Sequence, residues 1–244
     1  MTFAPLSNFT LGSTRERLRP PLGRSREPMS LLLRFFAVLP AQENCMPTLK
    51  VIIASTRPGR AGLPIGTWIT EVARKHAGFD TVEVLDLAEI GLPLMNEPNH
   101  PRLRQYQFPH TLAWSRQVDS ADAFVVVAPE YNFSISAPLK NAFDYLSAEW
   151  AYKTMGLVTY GGISGGMRAG QAIRGISGAL RVTVATESVA LPMVFPQIKD
   201  GVFTPAEGNL LAATAMLDEL VTLDRGLSPL REPAGSGPYD HPNT

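Results

Sequence analysis

The chain has 244 residues, 45% of them apolar, which suits one packed domain of roughly 170 to 200 residues with loose ends. Its 22 basic and 22 acidic side chains cancel, so net charge gives no reason to expect a nucleic acid or an anionic membrane as partner. The one cysteine, Cys45, builds neither a disulfide framework nor a thiolate metal cluster, and no apolar run reaches the roughly 18 residues of a membrane span, so a reducing, cytoplasmic setting is expected.

Residues 1–46 mix Pro, Ser and Arg without sustained periodicity, and Met1 to Cys45 carries six arginines against three glutamates. The remainder is therefore acidic by about three charges. Three readings of this leader stay open: a start codon chosen upstream of Met46, a disordered tail, or an Arg-rich organelle-targeting segment. No chemistry is assigned to it. The folded domain is expected over 47–225, with the Pro- and Gly-rich residues 226–244 forming a flexible tail.

From Leu49 the pattern becomes regular. Leu49, Val51, Ile52, Ile53 and Ala54 read as a strand, the polar stretch Ser55 to Gly62 as its loop, and Ile65, Trp68, Ile69, Val72 and Ala73 recur at helical spacing up to about Lys75. Thr81 to Leu87 alternates as a second strand, and a long Pro-, Gly- and Asn-containing loop from Gly91 to Pro101 follows. A helix is predicted from about Leu103 to Ser120, kinked or split at Pro109. Phe124 to Ala128 is a continuous apolar run, as expected of a strand covered on both faces. Pro138 to Leu146 reads as helix, Met155 to Tyr160 as strand, Arg168 to Leu180 as helix, Val182 to Val189 as strand and Pro205 to Leu223 as a last helix. Five strands alternating with helices predict an α/β fold with a doubly wound five-stranded parallel sheet in the order 2-1-3-4-5.

In such sheets ligands bind beyond the carboxyl ends of the strands, so the loops there carry the chemistry. The first, Ser55-Thr56-Arg57-Pro58-Gly59-Arg60-Ala61-Gly62, brings hydroxyls, two guanidinium groups and glycines to a helix N-terminus, a combination that suits a phosphate monoester. It matches neither Walker A nor the Gly-x-Gly-x-x-Gly fingerprint. The third, Pro129-Glu130-Tyr131-Asn132-Phe133-Ser134, sets an aromatic pair beside amide and hydroxyl groups that can lie against a flat ring and bond its edge. The fourth, Tyr160 to Arg168, has four glycines whose backbone can approach a planar ligand. Side by side, a phosphate cradle and two polar walls describe a flavin mononucleotide (FMN) site.

At these residues the chain resembles the NAD(P)H-dependent FMN reductases, a flavodoxin-like family that includes quinone, azo-dye and chromate reductases. The resemblance runs from about Leu49 to Pro192 and rests on Ser55-Thr56-Arg57-Pro58-Gly59-Arg60 and on Pro129-Glu130-Tyr131-Asn132, the latter followed by Pro138-Leu139-Lys140-Asn141-Ala142 and Asp144. It implies that Ser55, Arg57 and Arg60 hold the FMN phosphate, that Pro129, Glu130, Tyr131, Asn132 and Phe133 line the ring, and that Tyr160, Gly161 and Gly162 close the other side. Two positions depart from the family pattern: Ala54 stands where Gly often precedes the serine, and Ser136 where Pro is frequent. The resemblance also implies a homodimer or homotetramer with the flavin near a subunit boundary, contacts being sought on the helices around Leu103 to Ser120 and Pro138 to Leu146.

The activity implied is hydride transfer from NADPH or NADH to bound FMN and then electron transfer to a small-molecule acceptor such as a quinone, azo compound, metal oxyanion or free flavin. Because the flavin carries the difficult chemistry, no catalytic triad is needed; Tyr131 and Glu130 are candidate proton donors, with solvent as the alternative source. His76, His100, His110 and His241 lack metal-ligand spacing, and no metal is expected. Arg168 or Arg174 is a candidate partner for an NADP 2′-phosphate. The alternative function is a flavodoxin-like electron carrier or flavin-dependent regulator, against which the weakly acidic folded region counts, because a carrier usually docks through a strongly acidic face.

Overall fold

The computed structural model describes residues 46–231, and the expectations for residues 1–45 and 232–244 lie outside them. Five parallel strands, β1 (Thr48–Ile53), β2 (Thr81–Asp86), β3 (Ala123–Pro129), β4 (Thr154–Gly161) and β5 (Thr183–Pro192), stand in the order β2-β1-β3-β4-β5, as the alternation of strands and helices predicts. The helices are α1 (Gly62–Lys75), α2 (Leu87–Ile90), α3 (Pro109–Asp119), α4 (Ala137–Asp144), α5 (Met167–Ala179) and α6 (Glu207–Leu227). An antiparallel hairpin of β6 (Ile198–Lys199) and β7 (Val202–Phe203) precedes α6. None of the described helices is long and apolar enough to cross a membrane.

Two apolar layers cover the sheet. On one face Ile65, Trp68, Ile69 and Ala73 of α1 and Ala213, Met216, Leu217 and Leu220 of α6 pack on Leu49, Val51, Val125, Val127 and Val158. On the other, Trp114, Leu139, Phe143 and Ile173 pack on Ile52, Phe124, Val126 and Leu157. All seven residues of β3 are buried, which is why its sequence shows no polar alternation. The second layer is built around Trp150, whose ring centroid lies 5.0 Å from Phe124, 5.3 Å from Phe143 and 6.0 Å from Trp114.

The helix expected from about Leu103 to Ser120, kinked or split at Pro109, is divided there: Pro101–Leu103 form a single 3-10 turn and α3 begins at Pro109. Proline lacks the N–H that a first turn leaves unpaired anyway and forces its predecessor to extend; Phe108 sits at φ −98°, ψ 140°. The last strand runs on to Pro192. Past residue 225, α6 continues to Leu227, a 3-10 turn covers Ser228–Leu230, and Arg231 is docked.

Arg231 donates to Asp122 Oδ1 at 2.6 Å and to the Tyr152 carbonyl at 3.1 Å, and pairs with Asp224. Asp122 in turn accepts the Thr48 N–H at 2.8 Å, so the chain after α6 is tied to the start of the first strand. Replacing Arg231 by alanine leaves the nearly buried Asp224 carboxylate without its cation. A loss of about 2 kcal/mol is expected, read as a fall of roughly 4 to 8 °C in the thermal midpoint; an unchanged midpoint would contradict this clamp.

Candidate active site

The loops after β1, β3 and β4 meet at the carboxyl edge of the sheet, where the strand register sets Ile53 beside Val127 and Asp86, and Pro129 beside Tyr160. All eleven sequence-predicted site residues lie on these loops or at the strand ends feeding them. The structure gives them unequal situations.

Loop one enters α1 without a capping side chain: Ala61 makes no cap bond and the first turn holds no acidic residue. The N–H groups at that end carry the positive pole of a 14-residue helix. Beneath it, Ser55 Oγ and Tyr160 Oη are both buried near one another, and neither completes a well-formed hydrogen bond among the described residues. Gly62 gives them their room, since a Cβ there would overlap Ser55 Oγ and stand 2.8 Å from Tyr160 Oη. Two buried hydroxyls without partners cost stability unless something meets them. Burial pushes the Tyr160 phenol up to about 12, although Ser55 and the charges of Arg57 and Arg60 act the other way, so it is a neutral donor across the physiological range. Tyr160, expected as a wall of the ring pocket, thus has its hydroxyl in the loop-one cradle.

The two arginines of this loop differ. Arg57 is exposed, and it makes no hydrogen bond or ion pair among the described residues. Arg60 lies over the loop exit, donating to both Asp86 oxygens at 2.5 Å and to the Ser55 carbonyl at 2.6 Å. Asp86 ends β2 beside the last residue of β1 and also caps α2 by accepting the Ala88 N–H at 3.0 Å. Among the expected site residues Asp86 was missing. The signal that finds it is the 2-1-3-4-5 order itself, which puts the end of β2 next to loop one.

Loop three is a tight reversal. Tyr131 and Ser134 exchange backbone hydrogen bonds of 2.9 Å, with Asn132 at φ 48° and Phe133 at φ 66° between them, as in a type I′ turn. Asparagine tolerates this region; a bulky phenylalanine enters it only when its surroundings hold it there. What holds it is Arg168, whose guanidinium carbon lies 4.2 Å from the Phe133 ring centroid. The same guanidinium pairs with Glu130 Oε1 at 2.9 Å, and the Arg168 N–H donates to Glu130 Oε2 at 3.0 Å. Ser136 also anchors the loop, its buried hydroxyl donating to the Ala54 carbonyl at 2.8 Å. A proline at 136 would forfeit that tie between loops one and three.

Loop four turns back under loop three. Glu130 N–H donates to the Tyr160 carbonyl at 2.9 Å, and Met193 N–H spans the Gly161 and Gly162 carbonyls at 3.1 and 3.0 Å. Gly166, at φ 83°, starts α5 where a Cβ would meet the Tyr160 nitrogen at 2.6 Å, so only glycine fits. Gly162 is open and exposed. Tyr131, Phe133, Ile163, Met167 and Met193 leave apolar surface around the mouth.

A doubly wound parallel sheet in this order defines a flavodoxin-like fold. The flavoenzyme FerB of Paracoccus denitrificans, an NAD(P)H:(acceptor) oxidoreductase, has the same fold: its structure superposes with a TM-score of 0.59 at 19% identity, over 74% of this chain and 98% of that one. Residues 47–195 match the NADPH-dependent FMN reductase family, and the chain belongs to that family. It is 38% identical over 162 residues to an NAD(P)H-dependent FMN reductase of Schizosaccharomyces pombe, covering 66% of this chain and 80% of the relative. It is 35% identical over 135 residues to an NAD(P)H:quinone oxidoreductase of Solanum tuberosum, covering 53% and 68%.

Glu130 was considered above as a proton donor, and its surroundings work against that role. Burial alone would raise its carboxyl, but the Arg168 guanidinium and N–H and the Ser164 side chain outweigh it and hold the group below the ordinary carboxylate range. A folded value below the unfolded one means that the pair contributes stability above the unfolded value and loses it as pH falls through the folded one. In urea melts taken from about pH 7 to about pH 3, wild type should lose more stability than Glu130→Gln, which lacks this titration. Parallel profiles would show that the carboxylate is not paired in solution.

Proposed function

We propose that the chain holds FMN by its phosphate in the loop-one cradle, takes hydride from NADPH or NADH, and passes electrons to a small acceptor such as a quinone. The observation that supports this most is the pair of partnerless buried hydroxyls, Ser55 Oγ and Tyr160 Oη, under an uncapped helix N-terminus with Arg57 free beside it. Phosphate oxygens accept from hydroxyls, backbone N–H groups and a guanidinium together, which is the donor set present. A neutral base or a sugar would leave the helix pole and Arg57 uncompensated.

Bound FMN supplies the ability to accept a hydride and release electrons. The protein's share is placement. Tyr131 and Asn132, on the turn that Glu130 and Arg168 brace, form one wall of the ring site, and the Gly161-Gly162 backbone, pinned by Met193, forms the other. Pro129 fixes the strand end from which the first wall springs. The exposed apolar rim of Phe133, Ile163 and Met193 leaves the outer face open to nicotinamide and then to the acceptor, so both use the same approach in turn. With Glu130 held ionised, Tyr131 or solvent provides any proton the reduced acceptor needs.

Anaerobic NADPH should bleach the yellow protein within the dead time of manual mixing, whereas a persistent oxidised spectrum would indicate a carrier or sensor instead. For the cradle, Arg57→Ala should weaken FMN about ten- to a hundredfold while riboflavin, which has no phosphate, binds as before. An unchanged preference for FMN over riboflavin would refute the phosphate assignment.

We also propose a homodimer or homotetramer, supported by the exposed Leu94, Leu103 and Leu112 on and beside α3, which no other described element covers. Sedimentation equilibrium at micromolar concentration should report at least twice the monomer mass; a monomer would exclude it.

A further inference from the structure

Arg60 sits in the motif that suggests a phosphate grip, yet three of its N–H donors are already taken. Both Asp86 oxygens receive it at 2.5 Å, in the forked geometry that pairs one guanidinium with one carboxylate, and the Ser55 carbonyl receives it at 2.6 Å. The pair is well shielded, with 13% of the Arg60 side chain and 5% of the Asp86 side chain exposed. Asp86 is itself fixed, by its place at the end of β2 and by the Ala88 N–H. The Ser55 residue that Arg60 grips by its carbonyl is the one whose hydroxyl waits without a partner. Arg57, two residues on, is exposed and unpaired among the described residues.

We infer that Asp86 is a positioning residue of the phosphate cradle: it holds Arg60 as a neutralised brace on the Ser55 carbonyl and leaves Arg57 as the loop cation that meets the phosphate. This rests on the FMN reading above. It makes a prediction of opposite sign to the simpler view in which both arginines grip the ligand. If Arg60 served the phosphate directly, Asp86 would compete with the phosphate for it, and removing the carboxylate's charge would tighten binding. If Asp86 sets the brace, the same change lets the loop relax and weakens binding.

The test titrates the full chain, freed of flavin, with FMN and separately with riboflavin, following flavin fluorescence. Asp86→Asn should raise the FMN Kd about tenfold or more and change the riboflavin Kd less than about twofold. Glu89→Gln removes an exposed carboxylate whose field also reaches Arg60 but which makes no hydrogen bond to it, and it should leave both constants within about twofold. Tighter or unchanged FMN binding by Asp86→Asn overturns the inference, as does an equal loss of riboflavin or an equal effect of Glu89→Gln. Should Asp86→Asn fail to fold, Arg60→Lys decides: it keeps the charge but not the fork, so the same selective loss of FMN is expected, and wild-type affinity overturns the inference. Failure of the underlying reading shows separately, as Arg57→Ala retaining its FMN preference. A normal Arg57→Ala loss beside a tighter Asp86→Asn defeats the brace alone.

Discussion

A parallel sheet covered on both faces has no room for polar chemistry along its strands. Every residue of β3 is buried, and β4 is buried up to Tyr160, so the only places where side chains of β1, β3 and β4 can meet a ligand are their carboxyl ends. Right-handed crossovers put each following helix N-terminus at that same edge. The place of the cradle proposed in loop one is therefore a consequence of the topology before it is a property of its sequence. The sequence then decides whether the positive pole of each helix is spent internally or left open.

The three helices that start at this edge answer that question differently. At α5 the pole is spent on Glu130, whose carboxylate accepts the Arg168 N–H and side chain and so welds loop three to loop four. At α4 the Ser136 hydroxyl turns away from its own helix to the Ala54 carbonyl, joining loop three to loop one. At α1, which like α4 and α5 has neither a capping side chain nor an acidic residue in its first turn, the end is flanked instead by the buried hydroxyls of Ser55 and Tyr160, unpaired among the described residues.

Much of this was legible in the chain. The continuous apolar run of β3, the helical spacing of Ile65, Trp68, Ile69 and Ala73, and the alternation of strands with helices carry the fold and its strand order. The turn at Tyr131 to Ser134 was not readable as such, because a type I′ turn usually advertises itself by glycine, and here phenylalanine occupies the second positive-φ position under a stacked arginine. The β6-β7 hairpin did carry that signal, Asp200 and Gly201 at φ 50° and 76°, in a segment too short to show strand periodicity. The role of Arg60 was hidden for a different reason. A motif shows which charges lie in a loop, but whether a charge faces a ligand depends on its neighbour across the sheet, and Asp86 is 26 residues away in sequence.

The distribution of constraint over the site also separates what can vary from what cannot. Ser55, Gly62, Asp86 and Tyr160 are each buried and locked to β1, β2 or β4, so a change at any of them disturbs the sheet edge as well as the cradle. Phe133, Ile163 and Met193 project from loop tips with more than half of each side chain's area open, and their removal leaves no cavity. On the proposed reading, affinity for the phosphate end and shape of the mouth would thereby be carried by different residues with different costs of substitution. A chain built this way can alter which acceptor it admits through rim residues whose replacement costs little stability, while the cradle, whose residues are also core residues, stays fixed.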